Sequence, residues 1–182
     1  MSDLGPVTWP PAPISTDRLL LRAPEAQDRA PLIDLFTSPE VGTYIGGPQP
    51  RDEFERTFPA VPPRRPGLFA VTLNGTLIGI IDVKRRPADR PGHIRPDGGE
   101  VELGYLFLPH TWGHGYATEA CAAALTWITT ALPGEPVVLS TQTANVPSIR
   151  LAAKLGFTET ARFEEYGAEQ WFAVWWPPTP PT

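Results

Sequence analysis

A run of apolar residues leads into a turn with two glycines and then into a long helix: Leu106-Phe107-Leu108-Pro109-His110-Thr111-Trp112-Gly113-His114-Gly115-Tyr116-Ala117-Thr118-Glu119-Ala120. No other segment constrains the fold as much. Glu100 to Leu108 carries few polar residues past Glu102, which predicts a central strand. From Gly115 onward Ala117, Ala120, Cys121, Ala124, Leu125, Ile128 and Leu132 follow the i, i+3, i+4, i+7 spacing of a helix with one buried face. Pro133-Gly134 stops that helix. A buried strand that feeds a helix through a short turn belongs to a layered α/β domain.

The turn has a chemistry of its own. The first N–H groups of a helix have no partner within it, and the helix dipole adds a partial positive charge there. Gly113 and Gly115 let the backbone approach a ligand closely. The combination reads as an anion site suited to a phosphate or pyrophosphate, or else as a plain strand-to-helix turn. A phosphate-binding P-loop is excluded, because no Gly-Lys-Ser/Thr follows. A dinucleotide fingerprint is excluded too, because Thr118 stands where a third glycine belongs. His93 and His110 have no second histidine or cysteine at ligand spacing, so no metal site is expected. Cys121 lies on the apolar helix face and reads as a core residue.

The remaining elements follow from local signals. Arg18-Leu19-Leu20-Leu21-Arg22 reads as a strand. Asp28 stands at an N-cap position ahead of a short helix through Phe36, and a second short helix spans about Asp52 to Phe58. Leu68–Leu73 and Thr76–Val83 flank Asn74-Gly75, a hairpin signal. Residues 85–99 form a polar loop whose Arg85, Arg86, Arg90 and Arg95 read as a solvated basic hairpin, with a lid or a contact to an adenosine phosphate as the alternatives. Val137–Ser140 is a buried strand. A helix from about Pro147 to Leu155 ends at Gly156. Two last strands, Phe157–Phe163 and Glu169–Trp176, pair around Tyr166-Gly167.

The chain has 182 residues and a formal charge of -5, with no basic stripe, so nucleic acid is not an expected partner. No apolar stretch approaches the ~20 residues of a membrane span, and the N-terminus lacks the pattern of a signal peptide. A single cysteine makes no internal disulfide, which fits a cytoplasmic protein. Of 24 prolines, four fall in residues 1–13 and four in 177–182. These ends read as disordered or extended tails around one domain spanning 14–176.

Trp112-Gly113-His114-Gly115-Tyr116-Ala117-Thr118-Glu119-Ala120 strongly resembles the acyl-CoA-binding motif of the GNAT acetyltransferases. It is most similar to their ribosomal-protein N-acetyltransferase branch. Asn145-Val146-Pro147-Ser148-Ile149-Arg150-Leu151-Ala152-Ala153-Lys154-Leu155-Gly156-Phe157 is similar to that branch's N-x-x-S helix ending in K-x-G-F. Thr16-Asp17-Arg18-Leu19-Leu20-Leu21-Arg22 is like its opening strand. The three motifs stand in matching order over about residues 14–176. Three positions depart from the pattern. His110 stands where Gln or Arg is usual, Ala152 where many members carry a tyrosine acid, and the Pro59–Pro66 stretch where relatives have substrate-side helices.

The resemblance implies a single α/β domain of GNAT-like fold, a central mixed and mostly antiparallel sheet flanked by helices. It implies direct acetyl transfer from acetyl-CoA to a primary amine in a ternary complex, without a metal. The acceptor is a protein N-terminus or a small-molecule amine, and a homodimer is left open. The alternative is a non-catalytic acetyl-CoA sensor or scaffold. By resemblance the co-substrate is held by backbone groups of Leu106 and Leu108, by His110 and Trp112, by the turn Gly113, His114, Gly115, Tyr116, Ala117 and Thr118, and by Asn145 and Ser148. An N–H near Leu106 stabilises the oxyanion.

Two candidates carry the proton chemistry. Ser148 serves the departing sulfur, or else bonds its own helix end. Asn145 meets the cofactor, or else caps the same helix. Glu102 is the base that takes the amine proton, or else a solvated strand end. Glu119 reads as a hydrogen bond or ion pair in the first turn of its helix.

Overall fold

The computed structural model describes residues 3–179. An eight-stranded sheet forms the centre, in the order β1-β2-β3-β4-β5-β6-β8-β7. Its strands are β1 (Ile14–Ser15), β2 (Leu19–Arg22), β3 (Leu68–Leu73), β4 (Thr76–Arg85), β5 (Val101–Phe107), β6 (Val137–Gln142), β7 (Thr158–Glu165) and β8 (Ala168–Trp175). Every neighbouring pair is antiparallel except β5 and β6. The helices are α1 (Arg29–Thr37), α2 (Pro39–Gly42), α3 (Arg51–Thr57), α4 (Tyr116–Ala131) and α5 (Val146–Leu155). The expected α/β fold, one mixed and mostly antiparallel sheet with helices on both faces, is the one found.

Side-chain alternation decides which face each helix covers. Val101, Leu103 and Phe107 of β5 join Ala120, Cys121, Ala124 and Ile128 of α4 and Ala152 of α5 in the main core. Leu106 and Leu108 face the other way, toward Leu32 and Leu35 of α1. The hairpin turns obey the φ rule: Asn74 and Gly75 lie at φ 51 and 83°, Tyr166 and Gly167 at 55 and 75°.

Three features depart from the sequence reading. The strand Ile14–Ser15 and the helix Pro39–Gly42 have too few residues to show a period. Asp28 precedes α1 without capping it through its side chain; its carboxylate instead receives both Nη1 and Nη2 of Arg22, at 2.7 and 3.0 Å. The proline-rich start is extended and packed onto the domain. Leu4 is buried, and Trp9 meets Phe69 and Trp127 edge-on at centroid distances of 4.9 and 5.9 Å. The tail reading at 180–182 lies outside the described residues.

The loop between β4 and β5 is the largest correction. The side chain of Arg86 is fully buried. It bonds Glu102 and the Pro91 carbonyl, and its Nε donates to the Gly92 carbonyl at 2.8 Å. Arg90 forks onto Glu165 with two bonds of 2.9 Å. Arg95 pairs with Glu135 at 3.0 Å. Arg86 and Arg90 therefore staple the loop to the sheet by charge that is not solvated, while Arg95 stays at the surface. A buried guanidinium has to be paired and hydrogen-bonded, and the bonds from Nε, Nη1 and Nη2 of Arg86 meet that need here.

Candidate functional site

β5 and β6 pair only at their starts, Val101 with Val137 and Glu102 with Val138. Beyond that point both strands continue, β5 held by β4 and β6 by β8. The sheet thus opens into a V-shaped cleft in its middle. The mouth of the cleft leads to the glycine turn at the start of α4, and α5 begins beside it.

Register fixes which backbone groups face the opening. Leu108 N–H donates to Ile78 O at 2.8 Å, toward β4. In an antiparallel ladder alternate residues point the same way, so Leu106, opposite Ile80, also turns to β4. The edge facing β6 belongs to Tyr105 and Phe107 instead, and the Phe107 carbonyl there accepts the Trp112 indole N–H at 2.8 Å. The strand edge expected from Leu106 and Leu108 is therefore shifted by one residue. This one-residue offset reverses every backbone group and could not be read without the pairing.

The turn has the form expected of it. Gly113 and Gly115 lie at φ 80 and 79°. Glu119 N–H closes the first bond of α4, on Gly115 O at 3.1 Å. The N–H groups of Gly113 to Thr118 have no backbone acceptor among the described residues. Six successive donors at a helix N-terminus form a cradle that fits a pyrophosphate. His114 Nδ1 lies 3.2 Å from Thr111 O, and its ring stacks on Tyr116 at 5.5 Å. His110 is exposed at the edge of the turn.

Ser148 is buried in the first turn of α5 and bonds out of its own helix: its Oγ is 2.5 Å from the Tyr105 hydroxyl. Burial pushes the Tyr105 phenol well above its usual range, against the opposing pull of the Ser148 bond. Tyr105 therefore stays protonated and able to donate. Sequence reasoning missed it, because Tyr105 and Ser148 are 43 residues apart on different elements. The one available signal was the alternation of β5, which puts Tyr105 on the same face as Leu103 and Phe107, toward α4 and α5. Asn145 does not cap α5 through its side chain; its Nδ2 donates to Thr141 Oγ1 at 3.1 Å and ties the helix start to β6.

Glu102 is not a solvated strand end. It is buried, bonded to Arg86 through Oε1, and has Arg90 Nη1 3.5 Å from Oε2. Glu119 is the ion pair expected, with Arg18 at 2.7 Å, and it also accepts the Thr16 hydroxyl at 2.6 Å. Cys121 is fully buried, which pushes its thiol up, as a core residue requires. Among the described residues no helix is long and apolar enough to cross a membrane.

The chain shares this architecture with known proteins. The pattern of the family described as "Acetyltransferase (GNAT) domain" matches residues 18–158. The uncharacterized protein YkkB of Bacillus subtilis is 31% identical over 156 residues, 81% of this chain and 87% of that protein. An uncharacterized N-acetyltransferase p20 of Bacillus licheniformis is 25% identical over 159 residues, 83% of this chain and 85% of that one. The crystal structure of a GNAT-family acetyltransferase from Bacillus anthracis superposes with a TM-score of 0.71. It covers 91% of this chain and 98% of that one, and at 21% identity it establishes the shared fold. The match spans the opening strand, the cleft, the glycine turn and α5, so the split sheet with its amide cradle is that of the GNAT acetyltransferase family, to which this chain belongs.

Proposed function

We propose that this chain is an N-acetyltransferase that moves the acetyl group of acetyl-CoA directly onto a primary amine while both are bound. The observation that carries the reading is the Tyr105–Ser148 pair at the cleft, beside a six-donor amide cradle. An acyl-CoA carrier needs only the cradle. A hydroxyl pair in which the buried partner keeps its proton is a device for a leaving group.

The residues divide the work as follows. The amides of Gly113 to Thr118 hold the pyrophosphate. The edge groups of Tyr105 and Phe107 pair with the pantetheine arm as a strand would, and one of their N–H groups meets the developing oxyanion. The amine lone pair adds to the thioester carbonyl, whose oxygen takes the negative charge, and the C–S bond breaks as that charge returns. Ser148 gives its hydroxyl proton to the departing thiolate as it takes the Tyr105 proton, and Tyr105 regains one from solvent, into which the amine proton passes. Glu102 anchors the loop 86–100, since it is the carboxylate that bonds the buried Arg86, with Glu165 farther off at 3.9 Å. Water takes the proton of the amine. Acceptors with an α-amino group, as at a protein N-terminus, follow from the likeness of the three sequence motifs to the ribosomal-protein branch.

Ser148→Ala lowers turnover roughly 10²-fold or more, the usual worth of a positioned acid, and leaves the affinity for acetyl-CoA nearly unchanged. Tyr105→Phe, which removes one hydrogen bond to Ser148, lowers it about tenfold. Steady-state kinetics with a primary amine measures both. Equal turnover in wild type and Ser148→Ala would exclude the hydroxyl relay, and loss of acetyl-CoA binding would reassign Ser148 to holding the helix end.

A further inference from the structure

Arg18 lies 96 residues before the turn in sequence, yet it touches the turn at three places. Its Nη1 donates to the His114 carbonyl at 2.8 Å. Its Nε and Nη2 reach Glu119 Oε2 at 2.8 and 2.7 Å. Its guanidinium lies over the Tyr116 ring, 4.5 Å from the centroid, and that ring stacks on His114. The main chain joins in. Arg18 N–H donates to Glu119 Oε1 at 2.9 Å, beside the Thr16 hydroxyl on the same oxygen.

We propose that Arg18 is a positioning residue for acyl-CoA binding: it aims the Gly115 N–H at the pyrophosphate and cancels the charge of Glu119 beneath the cradle. This rests on the acyl-CoA reading above.

The first half follows from the peptide plane. A trans peptide directs a carbonyl and the next N–H to opposite sides. Arg18 fixes the His114 carbonyl toward β2. The Gly115 N–H is thereby directed outward, on the side where α4 presents its free donors. Gly115 at φ 79° has no side chain to fix this orientation. Without Arg18 the peptide is free to turn and withdraw one donor.

The second half is electrostatic. Glu119 stands in the first turn of α4, beside the cradle. Burial pushes its carboxyl up, but the bonds from Thr16, the Arg18 N–H and the Arg18 guanidinium outweigh it and hold the group below the ordinary range. It is therefore an anion at neutral pH. An unpaired anion there would repel a pyrophosphate; paired with Arg18 it presents little net field. Lysine could not replace Arg18, because one ammonium cannot hold a carbonyl, fork onto a carboxylate and stack on a ring together. The pair is partly exposed and adds little to global stability, so its loss is felt locally.

Calorimetry with CoA on wild type and four variants tests this. Arg18→Gln binds CoA roughly tenfold more weakly, about the difference one lost charge-assisted contact makes. Its melting temperature stays within a few degrees, and kcat at saturating acetyl-CoA is nearly unchanged while KM rises. Arg18→Lys falls between Arg18→Gln and wild type. Glu119→Gln stays within about threefold of wild type, since the charge it leaves unpaired is the positive one of Arg18, which does not repel a pyrophosphate. The double variant Arg18→Gln/Glu119→Gln binds more tightly than Arg18→Gln alone. Wild-type affinity in Arg18→Gln, or a double variant no better than the single, overturns the inference. Should Arg18→Gln fail to fold, an Arg18→Lys variant equal to wild type overturns it as well. Failure of the wild type to bind CoA removes the acyl-CoA reading, and this inference with it.

Discussion

At Gly115 the chain needs a φ of 79°, and of the two turn glycines only this one would bring a side chain near a neighbour, with Arg18 Nη2 3.5 Å from where a Cβ would stand. That distance is ordinary contact. The obstacle to substitution is the backbone angle, which costs a β-branched residue about 1–3 kcal/mol. Gly115→Val therefore relaxes away from the cradle geometry and weakens CoA binding by roughly 10- to 100-fold. His114→Ala, which leaves the amides in place, changes it by less than about threefold. Calorimetry on both distinguishes shape from side chain, and equal losses would contradict the backbone argument. This pair of glycines was legible in the sequence because the anion chemistry is local to a few consecutive residues. Tyr105 was not legible, since its role depends on a serine across the cleft. The backbone assignments to Leu106 and Leu108 missed by one residue for the same reason: the direction of an N–H in a strand is set by its neighbour strand.

Among the elements, the loop 86–100 shows how charge stands in for apolar contacts. Arg86 packs beside Phe163 and Phe172, with its guanidinium carbon 5.7 and 5.3 Å from their centroids, and Ile94 joins the same cluster. Arginines spaced through a proline-rich segment read as surface because the partners Glu102 and Glu165 come from β5 and β7. Removing the bonded carboxylate leaves buried Arg86 with only Glu165, 3.9 Å from its Nη2, so Glu102→Gln destabilises the fold by roughly 3 kcal/mol. Thermal melting measures this. A rate loss confined to low pH, with recovery at high pH, would instead make Glu102 the base. The Arg90 bond and charge hold the Glu165 carboxyl below the ordinary range, with burial opposing. Such a group contributes stability that is fully present above the unfolded glutamate pKa of about 4.3 and is lost as pH falls through the lower folded value. Glu165→Gln removes that contribution and flattens the acid limb of stability against pH, which denaturant melts between about pH 3 and 6 follow. An unchanged acid limb would contradict the assignment.

Over the whole molecule, the order of elements was legible almost throughout, because periodicity and turn residues are properties of short windows. Asn74-Gly75 set the hairpin, Gly156 at φ 93° ended α5, and Pro133-Gly134 ended α4. The cleft was not legible, because it arises from a pairing between β5 and β6 that stops after Glu102 and Val138. Nor was the docking of Leu4 and Trp9, where isolated apolar residues among prolines give no period. What unites the molecule is that the cleft, the cradle and the Tyr105–Ser148 pair converge on one place from β5, α4 and α5. The measurement that tests this account most directly is free-thiol release from acetyl-CoA, with and without a panel of primary amines that includes peptides with free N-termini. The account predicts release that depends on the amine, saturates with it, yields the acetylated amine by mass spectrometry, and falls in Ser148→Ala. Tight CoA binding with no amine-dependent release across the panel would contradict it and make the chain an acetyl-CoA-binding domain without turnover.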